Sequence, residues 1–149
     1  TVNRAGETVF VAPELVTGTL MKGFEVYRAI EDSLARAMFI MFMIAEVHPF
    51  ADGNGRIARV MMNAELVRGE RARIIIPTVY REDYLLALRA LTRQGNIEPY
   101  IRMLDRAQEF TSQVDFGSYE HALSQLRECG AFLEPHEGRL RLPEQAVRA

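Results

Sequence analysis

The sequence predicts a mainly α protein, a helical bundle with a small β-hairpin at each end. Three observations lead there. An apolar run, Ala37–Ala45 (AMFIMFMIA), is bracketed by Arg36 and Glu46 and interrupts an otherwise amphipathic helical pattern. A helix with no polar face belongs in the middle of a bundle, and the run is too short for a bilayer, which needs roughly 20 apolar residues. Glycines and prolines (Gly23, Pro49, Gly69, Gly95, Gly130) then punctuate the chain at helix-length intervals. Finally, β-forming residues cluster near the two ends, around Arg4-Ala5-Gly6 and in AFLEPHEGRLRLP at 131–143.

Taken in order, residues 1–11 read as a short hairpin. Pro13 opens a helix expected to run to about Lys22 and stop at Gly23. A single long helix is expected from Glu25 to Val47, ended by Pro49, with Met38, Met41 and Met43 as pliant core filler. The next helix runs from about Asn54 to Arg68, with Ile57, Val60, Met61 and Ala64 as its apolar stripe. RIIIPT (73–78) reads as a buried connector, and Thr78 as the cap of a helix over about 79–93. Asn96 can cap a helix to about Val114, with Pro99 tolerated in its first turn. At DFGS (115–118) the residue character changes, so the chain reads as a domain over 1–114 and an appendage over 115–149. That appendage would be a helix of about 119–128 followed by a strand, a turn and a strand, in the manner of a winged helix.

Composition narrows the function. The 149 residues are 48% hydrophobic and 26% charged, as in a globular domain. A net charge of -2 argues against a nucleic-acid partner, although Arg139 and Arg141 alternate on the second expected C-terminal strand. No membrane span is expected. The lone Cys129 forms no internal disulfide and fits a reducing, cytoplasmic setting. A secreted protein stays open, since the chain begins at Thr1 and residues are expected upstream of it.

The chemistry concentrates in VHPFADGNGRIAR, residues 47–59. Glycines on both sides of Asn54 let successive N–H groups turn inward at the start of a helix, an arrangement suited to an anion. Arg56 and Arg59 follow on one face of that helix, and two guanidiniums beside a helix N-terminus suit a polyphosphate. Asp52 on the same loop would repel phosphates unless a divalent cation lay between, and Mg²⁺ accepts one or two carboxylates plus phosphate oxygens. His48 is the nearby group able to exchange a proton near neutrality. Phe50 is expected to plug into the core and hold the loop. Singly, each has a plainer use: a capping histidine, a Gly-Asn-Gly turn, arginines paired with carboxylates such as Glu65, an N-capping aspartate. Their joint spacing is what favours a nucleotide site.

HPFADGNGR..R resembles the Fic/Doc signature HxFx(D/E)GNGRxxR at every specified position, and the similarity extends from the hairpin to about Thr111. The resemblance implies a Fic fold with an N-terminal flap, here without the family helix that precedes it. It implies a protein adenylyltransferase using ATP and Mg²⁺. His48 would deprotonate a Ser, Thr or Tyr hydroxyl, Asp52 would hold the metal, Gly53, Asn54 and Gly55 would cradle the α- and β-phosphates, and Arg56 and Arg59 the β- and γ-phosphates. The flap would dock a target protein by strand addition. Two other readings remain: Doc-like phosphate transfer or another nucleotide-dependent transfer, or a nucleotide-binding regulatory domain without catalysis. The family's inhibitory (S/T)xxxE(G/N) motif has no match; SQLREC (124–129) and LEPHEG (133–138) each miss it by one position. Inhibition is therefore expected from a partner or an upstream segment.

Overall fold

The computed structural model describes residues 3–5 and 8–146, and the chain divides into two compact units, Thr1–Arg71 and Ala72–Ala149.

In the first unit, β1 (Arg4–Ala5) pairs antiparallel with β2 (Thr8–Val9), Arg4 opposite Val9 and Ala5 opposite Thr8. The Phe10 N–H donates to the Asn3 carbonyl at 2.9 Å and extends the pairing. The turn expected at Gly6 lies outside the described residues. A 3-10 turn at Pro13–Leu15 leads directly into α1 (Val16–Ala29), which runs through Gly23 instead of stopping there. Gly23 answers to packing: a Cβ at that position would lie 2.1 Å from Met43 Sδ. The expected single helix 25–47 is also corrected. Ile30 turns extended, and the Asp32 carboxylate accepts from the Ala35 N–H at 2.8 Å, starting α2 (Ser33–Val47) afresh. A side-chain cap satisfies an amide that the first turn would otherwise leave orphaned.

α2 supplies the core of this unit, burying Ala37, Met38, Ile40, Met41, Met43, Ile44 and Val47. α3 (Asn54–Arg68) has the expected bounds and packs back along it. The far end of that helical hairpin is close: a Cβ on Gly69 would meet Ser33 at 2.5 Å, and Arg71 bonds Ser33 Oγ at 2.8 Å and Asp32 at 3.0 Å. The apolar stripe of α3 differs from the expected one. Ala58, Met62 and Leu66 are buried, whereas Val60 is 65% exposed and Ala64 faces outward with it. The buried set continues a line from Asn54 to Glu65, so two polar residues open and close the inner face. Glu65 accepts from the Tyr27 hydroxyl and pairs with Arg36 at 3.4 Å and Arg68 at 3.3 Å, tying α1, α2 and α3 together. Burial, and then the Glu65 hydrogen bond, push the Tyr27 phenol above its ordinary range.

In the second unit a 3-10 turn (Thr78–Tyr80) precedes α4 (Arg81–Gln94), and Thr78 makes no capping bond. Gly95, at φ 64°, closes α4 in the left-handed conformation. α5 (Glu98–Gln113) follows, and Asn96 Oδ1 accepts from the Glu98 N–H at 3.2 Å. α6 (Tyr119–Glu128) begins at Ser118, whose hydroxyl accepts from the His121 N–H at 3.4 Å. The connector 73–78 is only partly buried: Ile74 and Pro77 are inside and Ile75 is out. The C-terminal hairpin is not formed. Residues 130–137 close tight turns (Leu133 N–H to Gly130 O at 3.2 Å, Glu137 N–H to Glu134 O at 2.9 Å), and α7 (Pro143–Ala146) ends the described chain. Leu140 and Leu142 are buried in a core with Phe110, Val114, Ala122 and Cys129, and the two segments meet through an Arg141 N–H to Cys129 O bond at 3.0 Å without forming strands. Burial raises the Cys129 thiol above its ordinary range, as suits a packing residue. Among the described residues no helix is long and apolar enough to cross a membrane.

Candidate active site

His48 caps α2 with φ 52° and ψ 56°, a left-handed conformation that costs a non-glycine residue about 1–2 kcal/mol. Its N–H still closes the last helical turn onto the Ile44 carbonyl at 3.1 Å. Pro49 follows, and a residue before proline is pushed out of the right-handed helical region. Asn3 secures the strained corner from the hairpin side. Its amide nitrogen lies 3.0 Å from the Val11 carbonyl, 3.3 Å from that of Val47 and 3.1 Å from that of His48. Its two hydrogens are shared among these three acceptors, two of which are carbonyls that the helix end leaves unsatisfied. The Phe10 ring stacks on the His48 imidazole, centroids 3.8 Å apart and planes 13° from parallel. Asn3 and Phe10 were not among the residues singled out from sequence. Only their position in the hairpin points to them, because nothing local encodes a contact across more than 35 residues.

The loop is shaped by Asn54. Its side chain is buried, accepting from the Phe50 N–H at 2.9 Å and donating to the Phe50 carbonyl at 2.6 Å. Both ends of the amide are thereby used on the loop backbone, which leaves residue 54 its own N–H for a ligand. The expected role of Phe50 is corrected as well. The residue is 49% exposed and is held by its backbone.

Gly53, at φ 84°, is the N-cap of α3, and no side chain caps that helix. The first amides of α3 are consequently open at the positive end of the helix dipole. Each glycine also makes room for an arginine. A Cβ on Gly53 would lie 3.3 Å from Arg56 Nη2, and one on Gly55 would lie 3.3 Å from Arg59 Nη1. Arg56 pairs with Asp52 at 3.0 Å, both side chains well exposed, so the pair is worth little and exchanges readily. Arg59 has no carboxylate partner among the described residues; Glu65, the plainer candidate, is taken by Arg36, Arg68 and Tyr27. Asn63 donates to the Arg59 carbonyl at 3.1 Å.

A cavity of about 360 Å³ opens between hairpin and loop, lined by Asn3, Arg4, Pro13, Val16, His48 and Pro49. His48 therefore lines a hollow shared by the hairpin and the loop. Among the described residues no three His, Cys, Asp or Glu side chains gather to hold a metal ion. One exposed carboxylate is too little for a resident metal, but it fits a Mg²⁺ that arrives already coordinated by phosphates.

Residues 1–66 match the family model described as Fic/DOC family. The chain is 29% identical over 107 residues to protein adenylyltransferase fic-1 of Caenorhabditis elegans, covering 71% of this chain and 21% of that protein. It is 34% identical over 97 residues to protein adenylyltransferase Fic of Drosophila mojavensis, covering 62% and 19%. The solved structure of Fic-1 (aa134 - 508) from C. elegans superposes with a TM-score of 0.58 at 27% identity, over 70% of this chain and 33% of that one. The chain spans about a fifth of the length of these curated relatives. A left-handed histidine at a helix end, a glycine-flanked asparagine opening the next helix and two arginines on its first turns all lie within residues 1–66, the segment that is similar to the Fic/DOC family.

Proposed function

We propose that the chain carries the catalytic core of a protein adenylyltransferase, moving AMP from MgATP to a Ser, Thr or Tyr hydroxyl of a target protein. The observation that carries this reading is the pairing of one proton acceptor, His48, with an uncapped α3 N-terminus flanked by Arg56 and Arg59. In the reaction the target oxygen bonds to the α-phosphorus while the bond from that phosphorus to the α,β-bridging oxygen breaks. The hydroxyl proton passes to the His48 imidazole, and pyrophosphate leaves with its magnesium. Such transfers need positioning and charge neutralisation more than covalent help from the protein. Asp52 would exchange Arg56 for the magnesium of the incoming nucleotide. Arg56, released, would join Arg59 on the β- and γ-phosphates, and the amides at Gly53, Asn54 and Gly55 would cradle the α/β region. The names of the relatives, protein adenylyltransferases, support the same chemistry.

The hairpin expected over residues 1–11 would dock an extended target segment at its edge, a mode in which main-chain hydrogen bonds supply affinity. Similarity to the relatives over 107 residues supports extending the catalytic domain past the 66 residues of the family model, and we place its end near residue 114, where the residue character changes. Restraint of the activity would come from a partner or another segment of the protein, and a cytoplasmic setting fits the buried, reduced Cys129.

ATP labelled at the α- or the γ-phosphate, incubated with the chain and a cell extract, tests the reading. Label transferred from the α-position alone is expected. Transfer from the γ-position alone would mean phosphorylation, and none from either, with ATP still bound, would mean a nucleotide-binding domain. His48→Ala should keep nucleotide binding and lose transfer by roughly 10²–10⁴-fold.

A further inference from the structure

Three features of the molecule lie outside the roles assigned above. The groove between α4 and α5 (Tyr80, Asp83, Leu86, Arg102, Met103, Arg106) is mostly apolar with charges of both signs, but its arginines are already bonded, Arg102 to Glu98 and Arg106 to Glu109 and Gln145. The outward face of α3 (Ile57, Val60, Val67) is apolar, with nothing to say what covers it. The contact between Phe10 and His48 goes further, since it joins an aromatic ring with no part in the chemistry to the one group that has the central part.

We infer that Phe10 is a positioning residue for the imidazole of His48: the hairpin ring sets the plane of the base, and Asn3 sets the backbone that carries it. The inference rests on the reading of His48 as the base. A histidine ring has two free torsions, and a half-buried ring at the lip of a cavity would sample several settings of both. A parallel ring at 3.8 Å removes most of that freedom. Stacking occupies a face of the imidazole and leaves its nitrogen edge open, so the ring is held without losing its acceptor. Asn3 fixes the other end of the lever by bonding to the carbonyls of Val47 and His48 themselves. Because Asn3 and Phe10 are themselves joined backbone to backbone at 2.9 Å, the two restraints act as one piece. A hairpin so coupled would bring target and base into register together: a strand that docks on it meets an imidazole whose plane the same hairpin has set.

The test uses the whole chain with Phe10→Leu, which keeps apolar bulk and removes the aromatic face, and Phe10→Tyr, which restores the face. The first readout needs no activity. Protons held over an aromatic face are shielded, so the His48 ring protons should resonate upfield of those of His121 and His136, assigned by comparison with His48→Ala. Phe10→Leu should move them downfield and Phe10→Tyr should return them. The second readout is the dependence of label transfer on ATP concentration. Phe10→Leu is expected to lower the maximal rate about 10- to 10²-fold, the scale of a small misplacement of a reacting group, with KM for ATP unchanged. Phe10→Tyr should recover most of it. Unmoved resonances in Phe10→Leu, a loss that Phe10→Tyr does not repair, or a change confined to KM would each overturn the inference. If His48→Ala itself transfers normally, the base reading fails and takes the inference with it, while the resonances still report whether the stack exists; the two failures are thus told apart.

Discussion

Gly55→Ala should separate folding from nucleotide binding, because the two respond in opposite directions. Gly55 lies in the first turn of α3 with ordinary helical backbone, and the one atom within 4 Å of an added Cβ is Arg59 Nη1, at 3.3 Å. Nothing in the main chain resists the methyl group. Alanine is favoured over glycine in a helix by up to about 1 kcal/mol, and less in a first turn. For a domain of this size that is a rise in Tm of at most about 2–4 °C. The cost falls on the guanidinium, which must shift by a few tenths of an ångström from the end of α3. A hydrogen bond to a charged group is worth about 1.5–3 kcal/mol, so losing the Arg59 contact bounds the loss of MgATP affinity at roughly 10- to 150-fold. Calorimetric melting without nucleotide measures the first effect and titration with MgATP and MgADP the second, ADP being the less affected. A variant that melts normally and binds MgATP as the parent does would refute the placing of a phosphate at Arg59. One that melts several degrees lower would refute the claim that only a side-chain tip is displaced.

Gly53→Ala should instead destabilise by about 1–2 kcal/mol, because φ 84° is a left-handed backbone, and the two glycine variants should therefore differ in the sign of their Tm shift. Asn54→Ala removes two hydrogen bonds to Phe50 and should lower stability by about 2 kcal/mol; the urea midpoint checks the size, and faster hydrogen exchange at the Phe50 amide checks the location. Gly23→Ala puts a Cβ 2.1 Å from Met43 Sδ and should cost about 1–3 kcal/mol through overpacking, so that Gly23→Ala with Met43→Ala melts above Met43→Ala alone. Burial first of all holds the phenols of Tyr27, Tyr80 and Tyr100 above their ordinary value of 10.0. The folded state then keeps protons that the unfolded chain has released, so their contribution is complete below pH 10 and lost as pH rises through the folded values. Phenolate absorbance followed alongside circular dichroism should show Tyr100, the most buried, ionising only as the chain unfolds.

The bounds of α3 and α6 were legible because each is set by a local signal. A glycine or serine opens the helix and a glycine or a cysteine-glycine pair closes it. The break between α1 and α2 was equally local, an aspartate followed by serine, yet it was hidden by an apolar periodicity that runs across it. Periodicity reports which residues share a face and does not report whether the helix beneath them is continuous. Gly23 shows the reverse error. A glycine marks a stop when the backbone needs it and a close approach when a neighbour does, and Met43, which decides between the two, lies 20 residues away. The C-terminal strands failed for a third reason: two β-forming segments around Pro135 and Gly138 satisfy the hairpin pattern, but residues 130–137 close on themselves in successive tight turns, and strand propensity yields to such context.

At the site the same distinction separates what the motif specifies from what it borrows. His48, Asp52, Gly53, Asn54, Gly55, Arg56 and Arg59 are adjacent in sequence, and their arrangement follows from one helix end, one loop and one helix start. Chemistry at that arrangement also needs three things the motif does not contain. The imidazole needs a wall, supplied by Phe10, and its backbone needs an anchor, supplied by Asn3. Arg59 needs to stay unpaired, and the carboxylate six residues along its own helix could compete for it only by turning outward. Arg36, Arg68 and Tyr27 hold Glu65 on the buried face of α3, so the guanidinium at the helix entrance keeps its charge for an incoming anion. A polar cluster that would otherwise pass for structural cement on the three helices thus has an electrostatic consequence nearer the start of α3: it removes Glu65 as a partner for Arg59.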